Sequence, residues 1–306
     1  MKAAASTTTP HKIRIRACLF LFRLVPCGTL PYTGHMDLQI ERRMRFQQAT
    51  PFARAIGLEL AAWGLGFART TLPPAPQIST AEDNPAIHPL ALIGMADHAL
   101  SYAFTAAVPA NAGLSTLDLR LEFGAAPRGA VSAEAKLLHH TAQNGAASLT
   151  ATDATGATIL TASALFNFRA FPGGGGEMKR PDLPRFVNDH DGPFEPFLGL
   201  VRDAAGIHLL GGARRTVGFE GLPALHGGVI GAALAAACCA EIDRLELELR
   251  LATLTIRYLR PGGLGRLDAR ASCVRAGRSA GFLDAVASHA QGETVAEAQA
   301  VFVPLA

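Results

Sequence analysis

The 306-residue chain carries 28 basic and 25 acidic residues, a formal net charge of +3, with 49% hydrophobic and 17% charged residues. That balance excludes a disordered chain, and the basic residues are scattered rather than gathered into the stripe that nucleic-acid binding uses, so nucleic acid is not an expected partner. No apolar run approaches the roughly 20 residues of a membrane span, and at this length a soluble protein of two domains with no membrane partner is expected.

Lys2, Lys12, Arg14 and Arg16 precede an apolar stretch at 17–22 that Arg23 interrupts, too short for the core of a secretion signal. Met36-Asp37-Leu38-Gln39 reads like the start of an ordinary cytosolic protein. Residues 1–45 are therefore expected to be an extension outside the folded domains, and the protein cytoplasmic. Pro51-Phe52 opens a short apolar helix, proline being sterically natural in a first helical turn. From Leu58 to Thr71 the pattern is a pair of β-type runs broken by Gly64 and Gly66. His88 to about Ala107 has helix-forming composition and is apolar nearly all round, as befits a helix wrapped by a sheet. Leu117 to Phe123 alternates strictly between apolar and polar, the signature of a half-buried strand. Strands at 131–139, 146–153 and 158–168 follow, separated by turn sequences at Asn144-Gly145 and Asp153 to Gly156.

The same order then recurs at a spacing near 138 residues. Phe171-Pro172 and four glycines begin a Gly/Pro-rich linker over 171–193. Pro196-Phe197 matches Pro51-Phe52, and Ile207 to Val217 matches the first strand pair, with Gly211 and Gly212 in the place of Gly64 and Gly66. His226 to about Asp243 is the second long apolar helix, and 254–259, 266–275, 280–288 and 294–303 are strands. Domains over 46–170 and 194–306 are expected, each a sheet around one helix. The cysteines Cys18, Cys27, Cys238, Cys239 and Cys273 have no metal-ligand spacing, and Cys238-Cys239 lies in an Ala-rich helix pattern that favours core packing. No metal is expected.

This order of elements, together with Leu225-His226-Gly227-Gly228-Val229-Ile230-Gly231, resembles the hotdog fold of the PaaI-type acyl-CoA thioesterases, in two tandem copies over residues 46–306. The resemblance implies an α+β protein in which two hotdog domains pair as a pseudo-dimer, hydrolysing acyl-CoA to free acid and coenzyme A. Coenzyme A is then part of the substrate and no cofactor is needed. It also implies that the His-Gly-Gly motif opens the central helix and that a catalytic carboxylate follows nine residues after the His, each site combining the two parts from different units. A helix N-terminus offers unpaired N–H groups to an oxyanion, and glycine admits the thioester carbonyl to the backbone.

Neither half keeps both parts. Nine positions beyond His226 stands Ala235; nine beyond His88 stands Asp97, yet His88 is followed by Pro89 and Leu90, and proline has no N–H to give. The losses are complementary, so one composite site of Asp97, Gly227 and His226 is expected, opposite a dead one. Gly228 and His88 are expected near substrate, and Arg260, Arg275 and Arg278 resemble strand-end and hairpin motifs near coenzyme A. The resemblance also implies that such tandem units pair again, giving a homodimer of the double chain. A non-catalytic acyl-CoA or lipid-binding hotdog protein is the alternative, and a hotdog dehydratase or hydratase is disfavoured by the lack of its His with Asp or Glu motifs.

Overall fold

The computed structural model describes residues 50–305 apart from 82, 105–107, 109–111, 171–192, 205, 212 and 220–221. The expected extension over 1–45 and nearly all of the expected linker lie outside them. The first half runs α1 (Pro51–Ala55), β1 (Glu59–Gly64), β2 (Phe67–Leu72), a small hairpin of β3 (Ser79–Ala81) and β4 (Asn84–Ile87), the central helix α2 (Ala91–Tyr102), then β5 (Ala112–Phe123), β6 (Val131–His140), β7 (Asn144–Thr152) and β8 (Thr158–Ala170). The second repeats it as α3 (Phe194–Leu198), β9 (Leu200–Asp203), β10 (Gly206–Leu209), β11 (Val217–Phe219), β12 (Leu222–Leu225), α4 (Gly227–Arg244), β13 (Leu249–Tyr258), β14 (Leu267–Gly277), β15 (Ala280–His289) and β16 (Thr294–Pro304).

The strands form one 12-stranded sheet in the order β1-β2-β6-β7-β8-β5-β13-β16-β15-β14-β10-β9, which reads the same for each half outward from the seam. Every pairing is antiparallel. At the seam, Asp118 to Glu122 pairs with Arg257 to Thr253, centred on Arg120 opposite Thr255. The protein is thus α+β, two hotdog domains joined edge to edge as a pseudo-dimer. Each half wraps its sheet around its own helix, which is why both helices could dispense with a polar face: α2 is buried from Ala91 to Leu100, and α4 from Gly228 to Cys238. The two helices cross where Gly94 meets Gly228. A Cβ on Gly228 would lie 2.3 Å from the Gly94 Cα, so only glycine permits the approach.

Three expectations need correction. The second short helix begins at Phe194 behind Pro193, not at Pro196-Phe197. The chain holds two Pro-Phe pairs three residues apart, and it is Phe194 that stacks on His88 as Phe52 stacks on His226. The second-half strand pair is β9 and β10, not a pair divided at Gly211 and Gly212. Gly206 starts β10 at φ 132°, where a side chain would be strained and its Cβ would meet the Ala269 carbonyl at 2.7 Å. The first central helix begins at Ala91 rather than His88, because His88-Pro89-Leu90 form its lead-in turn, and it ends at Tyr102, short of Ala107.

Candidate active site

α4 starts with a capped turn. His226 is its N-cap, in extended backbone conformation, and its Nδ1 accepts a hydrogen bond from the Gly228 amide at 3.0 Å. The same amide faces Asp97 across the domain interface, and Asp97 Oδ2 accepts from it at 3.1 Å. Asp97 lies in the buried middle of α2, where its Oδ1 accepts from the Thr116 hydroxyl at 2.7 Å. Thr116 precedes a β-bulge in β5, a device that re-aims side chains locally. On the far side of the glycine pair, the Tyr258 hydroxyl donates to the Gly227 carbonyl at 2.9 Å. The peptide joining Gly227 and Gly228 is therefore held at both ends. The preceding amide, that of Gly227, donates to no atom among the described residues.

The electrostatics follow from burial. Desolvation raises the Asp97 pKa, opposed in turn by the Thr116 hydrogen bond, by His98 whenever its ring is protonated, and by the Gly228 amide. Desolvation pushes His226 down to about 3, so its imidazole is neutral at ordinary pH. Tyr258 is pushed well above its usual value by burial and by the charges of Asp97 and Asp118. His98 stands next to Asp97 on α2, with Nδ1 3.3 Å from His226 Nε2. Phe52 covers the His226 ring at 4.5 Å between centroids. A buried carboxyl group, an available helix-terminal amide and a neutral capping histidine thus converge between the domains.

The pseudo-symmetric position is apolar. The bulge after Thr116 in β5 corresponds to the one after Leu251 in β13, which makes Leu251 the counterpart of Thr116 and Phe123 that of Tyr258. The helices make Pro89, Leu90 and Ala235 the counterparts of Gly227, Gly228 and Asp97. His88 keeps its capping place: its Nδ1 accepts from Leu90 N at 3.2 Å, its ring stacks on Phe194, and burial pushes its pKa to about 4. It lies at this second position, not beside Asp97.

The structure brings Asp97, Gly227, Gly228 and His226 together. Arg260 lies two residues beyond Tyr258, exposed, with its guanidinium on Glu293 at 3.1 Å and on the Thr294 carbonyl at 2.7 Å. Arg275 and Arg278 are exposed at the β14–β15 hairpin, which packs on the other end of α4, the Cβ position of Gly281 being 3.0 Å from Ile242 Cδ1. From Gly227 to Ile242 the helix is about 22 Å long. The strand carrying this arginine pair thus runs away from the motif that begins the helix, which puts the pair at the far end of α4 from Gly227. Thr116, Tyr258 and His98 were not singled out from sequence. His98 had a signal in its place beside Asp97, and Tyr258 in ending an alternating strand; Thr116 had none until the bulge was seen. Among the described residues, no group of three or more His, Cys, Asp or Glu side chains could hold a metal ion, and no helix is long and apolar enough to cross a membrane.

An antiparallel sheet wrapped on a central helix, twice over, defines the hotdog class. The family model described as the acyl-CoA thioesterase N-terminal domain matches residues 219–303, within the second domain. Among solved structures, the chain is similar to the tesB protein of Mycobacterium avium subs paratuberculosis, with 14% identity over 82% of this chain and 97% of that chain, at TM-score 0.55. It is also similar to the 12:0-ACP thioesterase of Umbellularia californica (12% identity, 78% and 94%, TM-score 0.52) and to a hotdog-fold protein of Alicyclobacillus acidocaldarius (17%, 83% and 98%, TM-score 0.51). At such identities the likeness is one of fold. No curated protein matches the chain.

Proposed function

We propose that the chain is a tandem hotdog acyl-CoA thioesterase related to the PaaI type, with one working site made by both domains. The observation that carries the reading is the meeting of Asp97 from the first domain with the first turn of α4 from the second. In the proposed reaction Asp97 takes a proton from water while the water oxygen attacks the thioester carbonyl carbon. The oxyanion that forms is received by the Gly227 amide at the positive end of α4. The tetrahedral species collapses, the carbon–sulfur bond breaks, and the leaving thiolate takes the proton from Asp97. Free acid and coenzyme A result. A carboxyl whose pKa is raised by burial is suited to this work, since a base is most effective when its pKa approaches the working pH.

The test is thiol release from a panel of acyl-CoA esters. Wild type is expected to hydrolyse at least one of them and Asp97→Asn to lose about 10²–10⁴-fold in kcat, the usual contribution of a positioned base. Ala235→Asp is expected to add no activity, since Pro89 faces it in place of an amide. A wild type that binds acyl-CoA and cleaves none would instead identify a binding protein.

A further inference from the structure

The reading above leaves one buried polar contact unused: the two imidazoles of His98 and His226, from different domains, which approach to 3.3 Å and are each 5–6% exposed. We propose that His98 is a positioning residue that fixes the tautomer of His226 across the domain interface and thereby holds the first turn of α4 for the chemistry proposed above, on which this inference rests.

The direction of the chain of hydrogen bonds is set by its one unambiguous donor. A backbone amide can only donate, and the Gly228 amide is 3.0 Å from His226 Nδ1. That nitrogen therefore bears no proton. Buried and neutral, His226 must carry its proton on Nε2. Nε2 points at His98 Nδ1, which must be the acceptor. A His98 protonated at Nδ1 would set two N–H groups against each other. His226 would then have to move its proton to Nδ1, and Nδ1 would stop accepting from Gly228. The opposite tautomer has a nominal partner in Asp97 Oδ2, but at 3.4 Å it is the longer contact, and the Gly228 amide already points between the two. The surroundings of His98 agree with a fixed ring. Tyr102 packs edge-on at 4.8 Å, Asp97 is its chain neighbour, and Ser101 Oγ donates to its carbonyl at 2.7 Å.

The consequence reaches the neighbouring amide. While His226 Nδ1 and Asp97 Oδ2 share the Gly228 N–H and Tyr258 holds the Gly227 carbonyl, the peptide plane between the glycines is fixed. The Gly227 amide is then aimed by default. Loss of the acceptor on His98 leaves the His226 N–H buried without a partner, which favours the other tautomer and releases that plane. The counterpart of His98 in the second helix is Ala236, so the apolar position lacks this device too.

The experiment combines ¹⁵N imidazole NMR on histidine-labelled full-length protein with acyl-CoA kinetics, for wild type, His98→Leu and His98→Asn. The His226 signal is assigned by its loss in His226→Asn. Wild type is expected to show His226 as the Nε2–H tautomer, and folded His98→Leu to show it mixed or reversed. His98→Leu is expected to lose about 10–100-fold in kcat with little change in KM, by analogy with metal-ligating histidines that lose the partner of their second nitrogen. His98→Asn, whose side-chain oxygen can replace Nδ1 as acceptor, is expected to restore most of both signals. An Nδ1–H tautomer in wild type overturns the proposal. So does an unchanged tautomer in His98→Leu, which decides the matter even if no thioester is cleaved. Absence of hydrolysis in wild type with the expected tautomers would overturn the thioesterase reading alone.

Discussion

At the start of α4, His226 is followed by two glycines and the surrounding positions are Asp97, Thr116 and Tyr258; at the start of α2, His88 is followed by Pro89 and Leu90 and the related positions are Ala235, Leu251 and Phe123. Both histidines cap the turn that follows through Nδ1, and both lie under a phenylalanine brought by a short helix. What the two places share is therefore scaffolding. What separates them is every group able to donate to, or take a proton from, a bound carbonyl or water. The comparison teaches that a histidine in this motif is first a structural cap, since the same Nδ1 contact persists where the glycines and the acid are replaced.

Substitutions can break or sharpen this contrast. The largest effect is expected for Asp97→Asn, whose loss of turnover is accompanied by a gain in stability. Burial raises the folded-state pKa of Asp97 above its unfolded value, so the native state loses stability as pH rises from the ordinary carboxylate range through the raised value, and above it the penalty stays in full. Asparagine carries no such penalty, and melting at neutral pH is expected to move up for Asp97→Asn while the difference closes in acid. Next, Gly227→Ala would set a Cβ 2.7 Å from Asp97 Oδ2. Relieving that contact moves the carboxylate aside, and a misplacement of about 1 Å costs about 10²-fold, to be measured in kcat with the melting temperature little changed.

Gly228→Ala acts on the fold instead. Its Cβ would meet Gly94 backbone, which cannot swing away as a side chain could. A loss of about 1–3 kcal/mol in denaturant unfolding is expected; an unaltered midpoint would mean that the helix crossing is looser than described. Thr116→Val, which brings the site nearer to the Leu251 side, removes a bond that lowers the Asp97 pKa. Because the carboxylate is the proposed base, the acid limb of the kcat profile is expected to move to higher pH. The smallest change is Tyr258→Phe, copying Phe123. One hydrogen bond to the Gly227 carbonyl is lost, and about 0.5–1.5 kcal/mol of transition-state stabilisation with it, read from kcat/KM.

Much of this was legible in the residues. The repeat, the strict alternation from Leu117 to Phe123 and the unbroken apolar run after His226 prescribe strands around buried helices, and the structure has them. Asp97 and Gly227 follow from the motif and offset that the thioesterase resemblance implies, counted along the chain, and they lie together. The short elements were not legible. Four-residue strands such as β9 and β10 have too few positions for alternation to register, and with two Pro-Phe pairs in reach only the contact with His88 decides which one starts α3. Thr116 escaped for a related reason: its side chain is aimed at Asp97 next to a bulge, and a bulge is a property of pairing between strands distant in sequence. The place of Arg275 and Arg278 was not legible either, because a hairpin motif says nothing about which end of the neighbouring helix it will meet.

The seam between β5 and β13 joins halves that belong to one polypeptide. In an assembly of two identical subunits, a mutation enters both sites together, so a proline that silences one oxyanion donor silences its twin. Here the positions of the two copies are inherited separately. On the function proposed above, one copy could lose its amide and the other its acid without either loss reaching Asp97 or Gly227, which would leave each chain a single asymmetric centre whose two sides can be tuned one at a time.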